Sequence, residues 1–213
     1  MLLSKEDLYW GGFLASDGCV DSSNRVRVYL HIKDIKQLEK FKVYIGKPHK
    51  IQVSEKYPDR CAFEFTDKGY VEFLEENFNI TPNKSLNYEM PLLFDNQYPD
   101  FLRGLFDGDG CICESFSNAA SKTATLYTTL TGSVGCITEF VGLMEATLGI
   151  VGHVQNRAKY GSTGNPFMCV KYNTNKSKIL LDYLYKQSTE ATRLDRKFEL
   201  YNKIVVNGIR QTR

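Results

Sequence analysis

Two nine-residue stretches carry the side chains most able to do chemistry: Trp-Gly-Gly-Phe-Leu-Ala-Ser-Asp-Gly over residues 10–18 and Leu-Arg-Gly-Leu-Phe-Asp-Gly-Asp-Gly over residues 102–110. Each ends in an aspartate followed by glycine and cysteine, Asp17 in the first and Asp109 in the second. Both read as helix ends. Ser4-x-x-Asp7 has the form of a capping box, and Pro99 with Asp100 suits the first turn of a second helix. Asp17 and Asp109 then stand at helix C-termini, where the helix dipole disfavours a negative charge by roughly 0.3–1 kcal/mol. Gly11, Gly12, Gly104 and Gly108 each cost a helix about 1 kcal/mol relative to alanine. Close approach of two helix backbones through small residues would offset that cost, and it would also bring the two carboxylates together. A divalent cation relieves both the repulsion and the dipole conflict. A lone Asp-Gly is ordinarily a turn, but a local rule broken twice in matching context points to function.

The elements around these helices repeat as well. Residues 25–32 (Arg-Val-Arg-Val-Tyr-Leu-His-Ile) alternate polar and apolar, and residues 123–130 (Thr-Ala-Thr-Leu-Tyr-Thr-Thr-Leu) match them with Tyr29 over Tyr127, so both read as strands. Apolar-periodic helices follow at 34–45 and 135–148, closed by Gly46 and Gly149. Strands at 50–54 and 61–65 correspond to 153–157 and 168–172, and helices at 68–77 and 176–185 end the copies, with 193–205 continuing the second. The unit is α-β-β-α-β-β-α, twice. Residues 1–80 and 99–213 are the expected copies, joined by a proline-bearing linker over 81–98.

Composition narrows the class. The chain has 213 residues, 42% hydrophobic and 24% charged, which is enough for one sizeable core or two small ones. No apolar run reaches the roughly 18 residues of a membrane helix, and the start of the chain turns acidic at Glu6 and Asp7 before any apolar core of a leader develops. An intracellular, reducing compartment is expected, with Cys19, Cys61, Cys111, Cys113, Cys136 and Cys169 as free thiols. Neither these cysteines nor His31, His49 and His153 fall at zinc-ligand spacing. The formal net charge is only +2, but residues 1–98 hold 13 Lys and Arg against 15 Asp and Glu, and residues 99–213 hold 14 against 10. The halves thus come out at −2 and +4, and a small net charge can still hide a basic face.

The paired motifs and the repeat resemble the LAGLIDADG homing endonucleases of the single-chain, double-motif type. The 102–110 motif is a good match, whereas 10–18 departs at its sixth position, where Ala15 replaces the usual acid. The resemblance implies an α+β fold of two pseudo-symmetric αββαββα halves forming a saddle of antiparallel sheets. It further implies site-specific hydrolysis of both strands of a DNA duplex, with Mg²⁺ or Mn²⁺ held by Asp17 and Asp109. Position 16, directly before the first acid, has no part in that ligand set; it is Ser16, where the second motif has Gly108. Lys84 and Lys197 stand in family-like contexts as basic residues that orient water or stabilise charge, although either alone would ordinarily be a solvated surface lysine. Lys33 and Ser133 are further water-positioning candidates.

Under the same resemblance, the sheets would read DNA. Alternation puts Arg25, Arg27, Tyr29 and His31 on one face, with Gln52 and Ser54 beside them. The second half offers Thr123, Thr125, Tyr127 and Thr129 with Gln155 and Arg157. Such side chains can contact base edges in the major groove, whereas without the motifs they would be the wet face of an antiparallel sheet. Glu64 against Lys171 at equivalent positions makes the halves electrostatically unequal, so a long, asymmetric duplex target and a monomeric protein are expected. The competing reading is a non-cleaving DNA-binding regulator or an RNA intron-splicing maturase of the same family. Retention of both acids favours the nuclease.

Overall fold

The computed structural model describes residues 2–84, 87–116, 124–157 and 167–206, without the side chains of 114–116, 124, 125 and 157. The first copy runs α1 (Lys5–Asp17), β1 (Gly18–Val20), β2 (Arg25–His31), a 3₁₀ turn (Ile32–Asp34), α2 (Ile35–Ile45), β3 (Gln52–Val53), β4 (Arg60–Thr66) and α3 (Lys68–Phe78). The second runs α4 (Tyr98–Asp109), β5 (Gly110–Phe116), β6 (Ala124–Ser133), α5 (Val134–Leu148), β7 (His153–Arg157), β8 (Phe167–Asn173) and α6 (Thr174–Tyr185). A 3₁₀ turn (Glu190–Thr192), α7 (Asp195–Tyr201) and a π-helical turn (Asn202–Val206) follow. The two sheets have the same antiparallel order, β1-β2-β4-β3 and β5-β6-β8-β7. The fold is therefore α+β with an internal repeat, as the sequence predicts. Among the described residues no helix is long and apolar enough to cross a membrane.

Helix α1 begins with the expected capping box: Asp7 N–H donates to Ser4 Oγ at 3.1 Å, and Ser4 N–H donates to Asp7 Oδ2 at 2.8 Å. α2, α3 and α5 end in left-handed residues at Gly46, Asn79 and Gly149, where glycine and asparagine avoid the Cβ penalty. Period-two alternation lays one face of each sheet on the core. Val26 and Val28 are buried under the first sheet and Leu126 and Leu130 under the second, while Arg25, Tyr29 and His31 are exposed. Thr128 also faces inward and is satisfied there by Ser177, whose hydroxyl accepts from Thr128 N–H at 3.0 Å.

Several boundaries and one alignment differ from expectation. Strand β2 stops at His31, because the ring accepts a hydrogen bond from Lys33 N–H at 3.1 Å and starts a 3₁₀ turn. The strand expected over 50–54 shrinks to Gln52–Val53, and the helix expected over 193–205 breaks into α7 and the π-helical turn. Tyr29 does not correspond to Tyr127. Gly18 pairs with Val28 and Gly110 pairs with Leu130, so the repeat equates Tyr29 with Thr131, and Tyr127 with Arg25. The first hairpin is tight, turning at Asn24 with φ 58°, whereas the strands of the second run longer. The slip is four residues, an even number, so the assignment of faces survives.

The two copies meet at α1 and α4. A methyl on Gly12 would lie inside the Phe101 carbonyl, and one on Gly104 inside the Tyr9 carbonyl, so only glycine permits this reciprocal backbone contact. A methyl on Gly11 would fall 2.6 Å from the Phe78 ring, which itself stacks on Phe101 at 6.0 Å. The segment between copies is also packed. Tyr88 is buried and donates to the Phe78 carbonyl at 3.0 Å, while Met90 N–H donates to Glu139 at 2.6 Å.

Candidate active site

The glycine contact sets where the helices end. The helices stay in contact to their last turns, which brings Asp17 and Asp109 within electrostatic reach of each other. A methyl on Gly108 would lie 3.3 Å from the Asp17 carboxyl carbon. Burial first and the Asp109 charge second push the Asp17 carboxyl up to about 6. Asp109 is likewise raised by desolvation of its carboxyl, yet its side chain reaches solvent. Two carboxyls therefore sit where the fold itself disfavours their charge, with hard oxygen ligands facing an open side.

The residue before each acid closes the last turn of the seam, and the two copies do this differently. A glycine at position 16 would match Gly108, but the chain has Ser16. Its hydroxyl donates to the Phe13 carbonyl at 2.9 Å, one turn back along its own helix. A methyl on Gly108 would overlap that hydroxyl, so the glycine of α4 makes room for the serine of α1. Ser16 therefore packs the seam and supplies no ligand beside Asp17.

Both predicted lysines come to this place, and neither is a solvated surface residue. Lys84 is 6% exposed and Lys197 is 3% exposed. Lys84 Nζ donates to the Ala15 carbonyl at 2.8 Å. Lys197 Nζ donates to the carbonyls of Phe106, Asp107 and Gly110 at 2.6, 2.7 and 2.6 Å. Each ammonium therefore neutralises the negative end of one motif helix, which is what lets an acid sit there. Burial lowers both lysines, Lys197 to about 8, and the motif carboxylates oppose that shift in each.

Beneath the site lies a polar network that sequence reasoning missed. Asp107, the sixth residue of the second motif, is 1% exposed. Its carboxylate accepts from Tyr9 OH at 2.8 Å, from Leu194 N–H at 2.7 Å and from Tyr185 OH. Gln37 donates to Tyr9 OH at 2.7 Å, so the chain of hydrogen bonds crosses between copies. Arg103, also buried, bonds Asp100, the Leu184 carbonyl and Thr192. The available sequence signal was the acid itself, present in one motif and replaced by Ala15 in the other.

The solvent faces of the sheets assemble most of the expected contact rows. Tyr29 and Gln52 both pair with Ala62, and Gln155 pairs with Cys169, which pairs with Thr131. Those partners put Gln52 and Gln155 at matching repeat positions. Arg27 is not free: it bonds Asp21 at 2.5 Å, and the Asp21 carboxyl is held well below its usual range, first by Ser23 and then by Arg27. His31 is turned back onto Lys33 N–H, and the Ser54 hydroxyl accepts from Tyr57 N–H at 3.0 Å. In the second sheet Lys171 lies 3.9 Å above the Tyr127 ring and pairs with Thr129. Glu64 pairs with Arg27 at the position equivalent to Lys171. Thr123 lies outside the described residues, as do the side chains of Thr125 and Arg157. Lys33 is exposed, whereas Ser133 is 5% exposed and spends its hydroxyl capping α5 and donating to the Tyr88 carbonyl, which leaves no group to position water.

No family model and no curated protein matches this sequence. Solved structures do match. The I-SmaMI LAGLIDADG homing endonuclease bound to cleaved DNA is 11% identical with a TM-score of 0.62, over 96% of this chain and 89% of that one. The LAGLIDADG homing endonuclease I-GzeII in complex with its DNA target is 12% identical with a TM-score of 0.57, over 96% and 90%. The LAGLIDADG meganuclease I-AabMI bound to uncleaved DNA is 15% identical with a TM-score of 0.58, over 96% and 92%. At these identities the likeness is one of fold. The chain has the single-chain LAGLIDADG homing endonuclease fold, with both halves present.

Proposed function

We propose that the protein is a site-specific endonuclease that cuts both strands of a double-stranded DNA target, using divalent cations held by Asp17 and Asp109. One observation carries this reading: two carboxylates from pseudo-symmetric helix ends meet over a backbone-tight seam, each beside a buried lysine. Nothing in the packing of the core requires acids there. The donor set suits a hard cation such as Mg²⁺ or Mn²⁺. A hard cation held by the two carboxylates would take its remaining ligands from water and phosphate oxygens, as Mg²⁺ commonly does. When bound, the cation supplies Lewis-acid polarisation of the phosphate and a more acidic water.

The chain's own groups do the rest. Asp17 and Asp109 fix where charge is compensated and orient the attacking water, one acid nearest each strand of the pseudo-twofold duplex but both needed for either cut. Lys84 and Lys197, anchored on the helix-end carbonyls, place positive charge where the phosphorane-like transition state becomes more negative. Arg25, Tyr29, Gln52, Thr129, Thr131 and Gln155 present polar groups to the grooves, and an asymmetric target follows from Glu64 opposing Lys171 across the repeat. On this reading one monomer occupies each target site.

The test is cleavage selection on a randomised duplex library with Mg²⁺, repeated with Asp17→Asn and Asp109→Asn. The parent is expected to cut both strands of one recovered sequence, and the variants to bind it without cutting. A parent that binds one duplex tightly and never cuts it would make the protein a regulator, and preferential binding of structured RNA would make it a maturase.

A further inference from the structure

We infer that Asp107 is a positioning residue for Lys197, and through it governs the cutting of one DNA strand but not the other. The inference rests on the nuclease reading above for its consequence, and on a closed ring of hydrogen bonds for its geometry. The Asp107 carboxylate accepts from Leu194 N–H at 2.7 Å. The Leu194 carbonyl accepts from Lys197 N–H at 3.0 Å as α7 begins. The Lys197 ammonium then returns to the Asp107 carbonyl at 2.7 Å. The carboxylate thus helps tie the start of α7 to α4 across 87 residues of sequence.

The rest of the network supports the carboxylate rather than competing with it. Tyr9 OH and Tyr185 OH occupy further lone pairs of Asp107 from two different helices, so the acid has little freedom to turn away from Leu194. Arg103 fastens the same segment one step earlier by donating to the Thr192 carbonyl and, at 3.1 Å, to the Thr192 hydroxyl. Among the described residues the first half shows no such device. Its equivalent of Asp107 is Ala15, which offers Lys84 a backbone carbonyl and has no side chain to hold the segment that carries it. The two lysines are therefore anchored by different means, although they serve equivalent places.

The experiment compares strand by strand on a supercoiled plasmid carrying the selected target, with Mg²⁺. Parent protein is expected to pass quickly from supercoiled to linear product. Asp107→Ala, which copies the first half, is expected to accumulate nicked circles, with one strand cut about 10- to 100-fold more slowly than the other, as displacement of a catalytic group by about 1 Å predicts. The slow strand is expected to be the one that Lys197→Met also spares. Asp107→Asn keeps an acceptor for Leu194 N–H and is expected to restore the balance. Equal slowing of both strands, or no slowing, would overturn the inference.

Amide exchange separates this outcome from failure of the nuclease reading. Asp107→Ala is expected to speed exchange across 194–198 by more than tenfold while leaving α5 unchanged, whether or not the parent cuts DNA. A uniform rise across the protein, or no rise at 194–198, contradicts the inference. Where Asp107→Ala does not fold, Leu194→Pro removes the same N–H at a position whose φ of −85° is close to proline's, and the same strand bias and local exchange are expected from it.

Discussion

Asp17 shows what the site costs the chain. Its carboxyl is pushed up to about 6 by burial and by Asp109, so the folded state disfavours the ionised form that the unfolded state accepts. With the folded value above the ordinary one, this penalty is fully present above pH 6 and disappears as the pH falls toward 4. Asp17→Asn is therefore expected to stabilise the metal-free protein at pH 8, by about 1–2 kcal/mol after allowing for partial solvent screening. The gain should vanish near pH 4. Urea unfolding at the two pH values measures it, and a variant less stable than the parent at pH 8 would contradict the stated electrostatics. Mg²⁺ should reverse the order by stabilising only the parent, and that stabilisation should fade below pH 6 as protons displace the cation.

At the scale of elements, the α1–α4 contact is the part of the fold that tolerates least. Gly12→Ala or Gly104→Ala drives a methyl into backbone of the opposing helix, which cannot rotate away, and is expected to destabilise by about 3 kcal/mol. Gly142 lies inside α5 with open space at its Cβ position, so Gly142→Ala is expected to stabilise by about 0.5–1 kcal/mol through helix propensity. Thermal unfolding of the three variants separates seam glycines from an ordinary helical one, and equal effects would refute the seam. The seam and the motif acids were legible in the sequence because glycine and aspartate each break a local helix rule at repeated positions. Strand faces were legible because alternation has period two. The register of the second hairpin was not, since turn length is set by contacts that the 123–130 alternation does not contain. Nor was the fit of Ser16 against Gly108, because the repeat aligns the two positions without showing that they touch across the seam. Burial of Lys84 and Lys197 was not legible either, because the carbonyls that receive them lie about 70 and 90 residues away in sequence.

The whole molecule is a repeat whose halves have diverged in charge and in anchoring. Glu64 and Lys171 stand at equivalent points, and the acid under one motif is Ala15 under the other. Under the proposed nuclease reading, such a body would suit a target whose two half-sites differ. Arg27 is held by Asp21, so Asp21→Asn, which weakens that hold, is expected to free Arg27 toward a duplex and alter base preference at the position it reaches while leaving the rate on the best target within a few-fold; sequencing of cut library members reads this, and an unchanged preference would remove Arg27 from the contact row. The central claim is that cations bind between the two helix ends. Anomalous diffraction from crystals of the protein with its selected duplex and Mn²⁺ tests it most directly. The account predicts manganese peaks bonded to carboxylate oxygens of both Asp17 and Asp109 and to scissile phosphates; manganese bound to neither acid in a complex that goes on to cut both strands would contradict it.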